Sequence, residues 1–230
     1  TRHLEPFPLD SVRLKVGSPY YDAMLKNGEY LLNMLDADKL LASFRVTAGL
    51  EPKAQPYCAG MLSFAKAPGY CWEAPDCELR GHFLGHYLSA LSIHALSMHS
   101  RPARLKATHI VKELAEVQKA ISRTAFQKTR MDKGKGKNIP ESSIPVYGFV
   151  SAFPESHLTR FEDMKGVWAP VYTLHKVMQG LYDAHFLLGS VEALRVLGGM
   201  ANHLVARVDQ LIINRVRTGD TKSMSEPCWQ

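Results

Sequence analysis

The chain has 230 residues, of which 46% are hydrophobic, so it can bury a sizeable core as one large or two small domains. Its four cysteines are too few for a disulfide scaffold. The formal charge of +6 is concentrated in residues 119–137, where aromatic residues do not alternate with the basic ones. A solvated loop explains this stretch better than a nucleic-acid site, so we expect no nucleic-acid partner.

No hydrophobic run approaches the length of a membrane span, and we therefore expect no membrane partner. The sequence begins at Thr1 without a signal peptide, which indicates a removed targeting segment or an excerpt of a longer protein. The compartment stays open, secretion being one option. A Cys58–Cys71 or Cys71–Cys77 bridge would suit a secreted protein, and free thiols are an equal alternative, also for Cys228.

The first part of the chain predicts an extended segment followed by two helices. Residues 1–17 have no helical period and are expected to be extended. Ser18-Pro19 predicts a helix start, because proline suits the first turn, and the apolar period continues to about Leu35. Asp36 predicts the cap of a short second helix that ends near Gly49.

A long loop and a central helix come next. Residues 50–78 are rich in proline and glycine, and their aromatic residues favour an ordered loop against a site. Asp76 is expected to cap a helix over about 79–99, because Pro75 fixes an extended approach. The predicted buried stripe of this helix comprises Leu84, Leu88, Leu91, Ala95 and Met98.

Another helix is predicted from Arg101-Pro102, with Ala107, Ile110, Leu114, Val117 and Ile121 on its buried face. Residues 126–146 are rich in lysine and glycine and predict a flexible surface insertion. The segment Gly148–Glu155 is apolar and predicts either a strand or an extended loop lining a cleft. A brief helical turn is expected over Phe161–Gly166.

Two further helices complete the pattern. One follows Trp168-Ala169-Pro170, and Gly189-Ser190 ends it and caps the next. The chain from residue 216 to residue 230 has no pattern and predicts an irregular tail. The predicted core stripes are Val171, Leu174, Met178, Leu181 and Leu188 in the first helix, and Leu194, Leu197, Ala201, Leu204, Val208 and Leu211 in the second.

Polar side chains gather at the start of the central helix. His82 and His86 are four residues apart and share one helix face. They could be half-buried histidines bonded to backbone, a zinc-binding pair, or ligand-binding groups. The zinc reading is weak, because Phe83 stands where the metalloprotease pattern requires glutamate, and we expect no metal site here.

The elements together predict an all-α protein of helical hairpins in which polar, aromatic loops precede alternate helices. Such a rhythm suits an α/α toroid whose inner helices open onto one cleft, and it would also suit a plain helical array or bundle. The regions around 72–98 and 148–188 share this arrangement.

Three ordered stretches, Trp72–Ala90, Gly148–Glu155 and Val167–Lys176, resemble the N-terminal catalytic-domain signature of glycoside hydrolase family 127, the β-L-arabinofuranosidase-like family. Phe44–Leu50 is similar to an early loop of that family, and the resemblance runs from about residue 7 to about residue 212. It implies the N-terminal half of an (α/α)6 barrel over residues 18–215. It also implies retaining exo-hydrolysis of β-L-arabinofuranosyl groups on arabinosylated glycans or glycoproteins.

In this family the nucleophile is a zinc-bound cysteine, with further cysteines and a glutamate as ligands, and another glutamate is the acid/base. A zinc-bound thiolate is a nucleophile of low pKa that replaces the second carboxylate of ordinary retaining glycosidases. The resemblance places these residues downstream of the matching segment, and Gly198–Asn202 only superficially echoes the next family motif. The catalytic residues are therefore unknown, and no zinc or other cofactor is expected in this chain.

What remains is the sugar-cradling part of a site. The resemblance implies that His175 bonds the arabinofuranose, with a structural helix cap as the alternative. The other candidates, each with a structural role as alternative, are His82, His86, Glu78 and Arg80, and the aromatic residues Trp72, Trp168 and Tyr172 for stacking on the sugar. Ser151 and Phe153 are expected to supply cleft backbone.

Three functions are compatible with the sequence: part of an arabinofuranosidase, a non-catalytic carbohydrate-binding or scaffold remnant of that family, and an unrelated helical module that binds a partner. A carbohydrate with terminal L-arabinofuranose is the expected partner. Half of an α/α barrel would also leave apolar helix faces uncovered, so we expect marginal stability or self-association.

Overall fold

The computed structural model describes residues 7–59, 71–134 and 147–218. Within these ranges all regular structure is helical and no strand is present, which confirms the all-α class. None of the described helices is long and apolar enough to cross a membrane.

The first helices begin where the sequence predicts. After a 3-10 turn at Leu9–Ser11, helix α1 spans Pro19–Glu29 and continues as a π-helical turn, Tyr30–Met34; helix α2 spans Ala37–Thr47. Ser18 Oγ accepts a hydrogen bond from Tyr21 N, and Asp36 Oδ1 accepts one from Asp38 N at 2.8 Å. The predicted helix start at Ser18-Pro19 and the predicted cap at Asp36 are thus confirmed, and each side chain satisfies a free amide of its first turn.

The rest of the chain forms two helical hairpins and a short helix between them. Helix α3 spans His82–Ser97, α4 Arg101–Gly134, α5 Ser156–Glu162, α6 Pro170–Leu188 and α7 Val191–Thr218. Helices α3 and α4 form the first hairpin, and α6 and α7 form the second. In space α3 packs along α6 and α4 along α7, so the hairpins lie side by side.

The buried faces of α3 and α4 are those that the hydrophobic period predicts. Leu84, Leu88, Leu91 and Ala95 of α3 are buried, and Met98 is half-buried at its C-cap. All five predicted core positions of α4 are buried: Ala107, Ile110, Leu114, Val117 and Ile121. Long apolar side chains at three- and four-residue spacing can bury together only on one helix face, so this prediction rests on geometry alone.

The predicted core face of α6 is wrong only at Val171, whereas that of α7 needs correction. Val171 of α6 is 49% exposed, whereas Thr173, Leu174 and Val177 are buried. In α7 Leu194 and Val208 are exposed, and the buried stripe instead comprises Ala193, Val196, Met200, His203 and Arg207. The spacing of apolar residues could not predict this stripe, because two of its members are polar. Arg207 is buried there because it forms ion pairs with Glu155 and Glu162.

The predictions for the loops and for the tail hold only in part. Helix α4 continues to Gly134, because residues 126–133 contain neither glycine nor proline; the predicted insertion is therefore wrong over 126–134. Its remainder, residues 135–146, lies outside the described residues. The segment 148–155 is a loop, which is one of the two alternatives expected for it. The turn expected over Phe161–Gly166 is instead the end of α5, which begins at Ser156. Helix α7 extends past 216, and residues 219–230 lie outside the described part.

Helices α3 and α6 touch through their backbones. A Cβ atom added at Gly85 would overlap the carbonyl of Lys176, and one added at Gly180 would lie 2.6 Å from Gly85 O. His86 meets Tyr172 near the starts of the two helices, whereas Leu88 lies beside Gly180 further along both of them. The helices therefore run in parallel and begin at the same end of the molecule.

We predict that Gly85→Ala lowers the free energy of unfolding by about 3 kcal/mol, because the new methyl group must force the α3 and α6 backbones apart. Urea denaturation of the variant and the parent chain measures this difference. The matched control is Gly198→Ala in α7, where nothing lies within 4 Å of the added Cβ. Alanine should be neutral or slightly stabilising there; equal losses at both positions would contradict the close contact.

Candidate functional site

Aromatic and imidazole rings cluster where α3 and α6 begin. The His82 ring centroid lies 5.8 Å from that of Trp72, 6.1 Å from that of His86 and 6.2 Å from that of Tyr172. His86 Nε2 lies 3.4 Å from the Tyr172 hydroxyl. Four residues of the predicted site, from the loop before α3 and from both helices, therefore form one cluster, which we call the ring cluster.

Exposure divides the ring cluster into a wall and a base. Trp72 is 47% exposed and Tyr172 41%, and His86 is also exposed. His82 is only 6% exposed and lies beneath them. Exposed aromatic faces beside imidazole nitrogens offer apolar stacking and hydrogen bonding together, which suits a neutral polyhydroxylated ligand.

A positive charge lies beside the ring cluster. Lys176 Nζ lies over the Tyr172 ring, 4.9 Å from its centroid. Burial, and after it the charge of Lys176, lowers the pKa of His86. His86 is therefore a neutral imidazole at pH 7, with one ring nitrogen as donor and the other as acceptor.

The cap of α3 differs from the prediction. The residue at the N-cap position is Gly81, with a left-handed φ of 95°, and not Asp76. Glu73 caps the helix from the loop: its Oε2 accepts a hydrogen bond from Gly81 N at 2.7 Å and its Oε1 one from Phe83 N at 3.0 Å. Asp76 precedes the helix by six residues, because a turn over residues 78–81 comes between.

Glu78 holds two loops together. Its Oε1 accepts a hydrogen bond from Arg160 at 2.6 Å, and its Oε2 accepts one from the backbone N of Trp168 at 2.7 Å. Burial alone would raise the pKa of Glu78, but these hydrogen bonds and the Arg160 charge outweigh it and lower that pKa. Glu78 is thus an ionised support for the Trp168 backbone.

The start of α6 carries local backbone strain. Ala169, its N-cap residue, has a left-handed φ of 46°, although it has a side chain and precedes Pro170. Ala169 packs against the small buried cluster of Ala74, Cys77 and Leu79. Strain of this kind persists only where surrounding contacts fix the backbone, and here it lies next to Trp168, which is 42% exposed.

Arg80 links the turn before α3 to the 148–155 loop through hydrogen bonds. Arg80 Nε donates to Ala152 O and its guanidinium also donates to Cys77 O, both at 2.8 Å. Ser151 and Phe153 are fully buried, and Ser151 Oγ accepts a hydrogen bond from Phe153 N. These contacts give Arg80, Ser151 and Phe153 supporting roles in the loop.

His175 lies on the exposed face of α6, one turn after Tyr172. Its charge, when present, contributes to the lowered pKa of His86, which places the two imidazoles in one electrostatic neighbourhood. The structure thus brings His82, His86, Tyr172 and Trp72 into contact. Trp168 lies at the start of α6, where Glu78 holds its backbone N.

The cysteines of the described residues do not fit the zinc site that the family implies. Cys58 and Cys71 form a disulfide, and Cys77 is a buried free thiol. Burial raises the pKa of Cys77, whereas a zinc-bound nucleophile requires a lowered one. Among residues 7–59, 71–134 and 147–218 no three or more His, Cys, Asp or Glu side chains group as a metal site, and Cys228 lies outside them.

Two residues of this region were not among the predicted candidates. Glu73 binds backbone amides eight and ten residues away, a distance that no local capping rule covers. Lys176 could have been found, because it follows Tyr172 by four residues and side chains at this spacing meet on a helix.

The helical hairpins and the polar, aromatic mouth of α3 and α6 are features of a carbohydrate-binding helical protein. Residues 11–224 match the family model described as beta-L-arabinofuranosidase, GH127 catalytic domain. The chain therefore belongs to glycoside hydrolase family 127. A search of curated proteins found no match.

We predict that stability falls as the pH drops below about 6.5, the ordinary histidine value. Burial lowers the pKa of His94, and burial followed by the Arg80 charge lowers that of His157. The unfolded chain then binds more protons than the folded one just below pH 6.5, so the free energy of unfolding rises with pH and levels off above it.

Urea denaturation at pH 5.5 and pH 7.5 measures this dependence. Replacing His94→Gln should flatten it, and His185→Gln, at a half-buried histidine near the end of α6, is the matched control. An unfolding free energy that is equal or higher at pH 5.5 in the parent chain would contradict the prediction.

Proposed function

We propose that this chain binds a terminal β-L-arabinofuranosyl group in the mouth formed by α3 and α6. Family membership supports a carbohydrate ligand. The observation that carries the proposal is the ring cluster, in which the His82 ring adjoins those of Trp72, His86 and Tyr172. Aromatic faces can stack on the apolar face of the furanose, and the imidazoles can bond its hydroxyl groups.

We further propose that the helices form part of an (α/α)6 barrel. The parallel arrangement of α3 and α6, each followed by an antiparallel partner, supports this architecture, because a toroid repeats such hairpins around an axis. The exposed apolar residues of α7, which include Val205, Val208, Ile212 and Val216, then mark a surface for contact with further helices or with a second copy.

The proposed role in the family reaction is to hold the sugar while other residues supply nucleophile and acid/base. The described carboxylates at the mouth support this division of labour. Glu73 accepts from two backbone amides, and Glu78 is held by Arg160 and Trp168, so both have structural partners already. Cys77 is buried, which makes it a poor nucleophile.

The reaction that we propose for the complete site is retaining exo-hydrolysis, in which a nucleophile displaces the aglycone and water then releases the sugar. In this chain the Trp72 and Tyr172 rings and the histidines would orient the furanose and exclude water from one of its faces. A non-catalytic carbohydrate-binding protein would use the same contacts without turnover.

The test is a titration with methyl β-L-arabinofuranoside followed by calorimetry or NMR. His175→Ala should weaken binding about tenfold, the cost of one lost hydrogen bond to a polar ligand. His185→Gln, near the other end of α6, is the control and should bind as the parent does. Saturable binding that His175→Ala leaves unchanged would remove His175 from the site, and absence of binding would contradict the proposal.

A second assay separates the two functions. Hydrolysis of a chromogenic β-L-arabinofuranoside is measured with the 230-residue chain, with zinc and a reductant present. We expect binding without turnover. Turnover that is lost in His175→Ala would show that a complete catalytic site is present and would overturn the proposed division of labour.

A further inference from the structure

The Glu73 carboxylate lies at the centre of the polar contacts beneath the ring cluster. Besides the amides of Gly81 and Phe83, it meets the His82 ring: Glu73 Oε1 lies 3.1 Å from His82 Nδ1. The Glu73 side chain is 13% exposed and that of His82 is 7% exposed, so solvent screens this contact little.

A second acceptor faces the same ring nitrogen. The carbonyl oxygen of Leu79 lies 3.0 Å from His82 Nδ1. A carbonyl oxygen and an ionised carboxylate can only accept hydrogen bonds, so His82 Nδ1 must carry the proton to satisfy either of them. In the neutral ring Nε2 is then the unprotonated nitrogen, which is a hydrogen-bond acceptor.

We propose that Glu73 is a positioning residue that holds His82 as its Nδ1–H tautomer, so that Nε2 accepts a hydrogen bond from a sugar hydroxyl. The sugar part of this inference rests on the proposed function; the tautomer part does not. The rings of Trp72, His86 and Tyr172 surround His82, so the accepting nitrogen belongs to the ring cluster.

The Glu73 carboxylate contacts both the His82 ring and the backbone at the start of α3. Glu73 fixes the backbone on both sides of His82, at Gly81 and at Phe83, while it bonds the imidazole between them. A simple cap such as Asp36 contacts only backbone amides of its own first turn. Glu73 therefore fixes both the position of the His82 ring and the choice of its protonated nitrogen.

The experiment is a long-range ¹H–¹⁵N correlation spectrum of the full chain labelled with ¹⁵N-histidine, recorded at pH 7.5, above the ordinary histidine pKa of about 6.5. His82→Gln identifies the resonances by their loss. We expect the parent chain to show His82 as the pure Nδ1–H tautomer. Glu73→Ala should show a mixture, because the variant also loses the contacts with Gly81 N and Phe83 N that hold the ring against the Leu79 carbonyl. Binding of methyl β-L-arabinofuranoside should weaken about fivefold to tenfold in Glu73→Ala.

The control is Asp36→Ala, which removes a helix cap of similar chemistry at α2 and should leave both the His82 spectrum and the sugar affinity unchanged. If Glu73→Ala does not fold, Glu73→Leu replaces it, because its side chain is of similar size and carries no hydrogen-bond acceptor. The parent spectrum is informative in either case.

An Nε2–H tautomer in the parent chain would overturn the inference, as would a pure Nδ1–H tautomer that persists when Glu73 is replaced. A mixed tautomer together with unchanged sugar affinity would uphold the positioning role and instead contradict the proposed contact between His82 and the sugar. Loss of affinity with a mixed tautomer supports both.

Discussion

The direct backbone contact between α3 and α6 is the constraint on which the remaining structure depends. Neither Gly85 nor Gly180 can carry a side chain without moving the opposite helix. Because no side chains separate the helices there, their first turns lie close enough for rings from both to meet. The distance between the His82 and Tyr172 rings is therefore set by backbone packing at least three residues away from either of them.

Ionisable side chains hold the loops that complete this mouth. Glu73 fixes the start of α3, Glu78 fixes the backbone before α6, and Arg80 fixes the 148–155 loop through Ala152 O. Each of these side chains binds backbone groups, which would otherwise be left without partners when the loops pack together. Charged residues at the mouth thus shape the cleft, while the neutral rings remain exposed to a ligand.

The local features of the fold could be predicted from the sequence. Ser18, Asp36 and Ser190 cap helices as their residue types predict, because capping depends only on nearby amides. The buried faces of α3 and α4 follow from the spacing of their apolar side chains alone. Membership of family 127 could also be predicted from the sequence, because the motifs that resemble the family fall in three ordered stretches.

Other features depend on contacts between distant parts of the chain, and the sequence pattern missed them. The apolar period of α7 selected a face on which Leu194 and Val208 are exposed, while the buried face includes Arg207, which is neutralised by glutamates of another segment. The α3 cap was assigned to Asp76, although the carboxylate that reaches the amides is Glu73 in the preceding loop. Partners that are distant in the sequence, such as Glu73 and the α3 amides, can be identified only from the folded structure.

The central claim is that the starts of α3 and α6 form a sugar-binding mouth. Chemical-shift mapping of the full chain during titration with methyl β-L-arabinofuranoside tests it most directly. We expect saturable shifts concentrated at Trp72, His82, His86 and Tyr172 and at their helix turns. Shifts concentrated elsewhere, such as in the polar cleft lined by Glu155, Glu162 and Arg207, or the absence of any saturable shift, would contradict it.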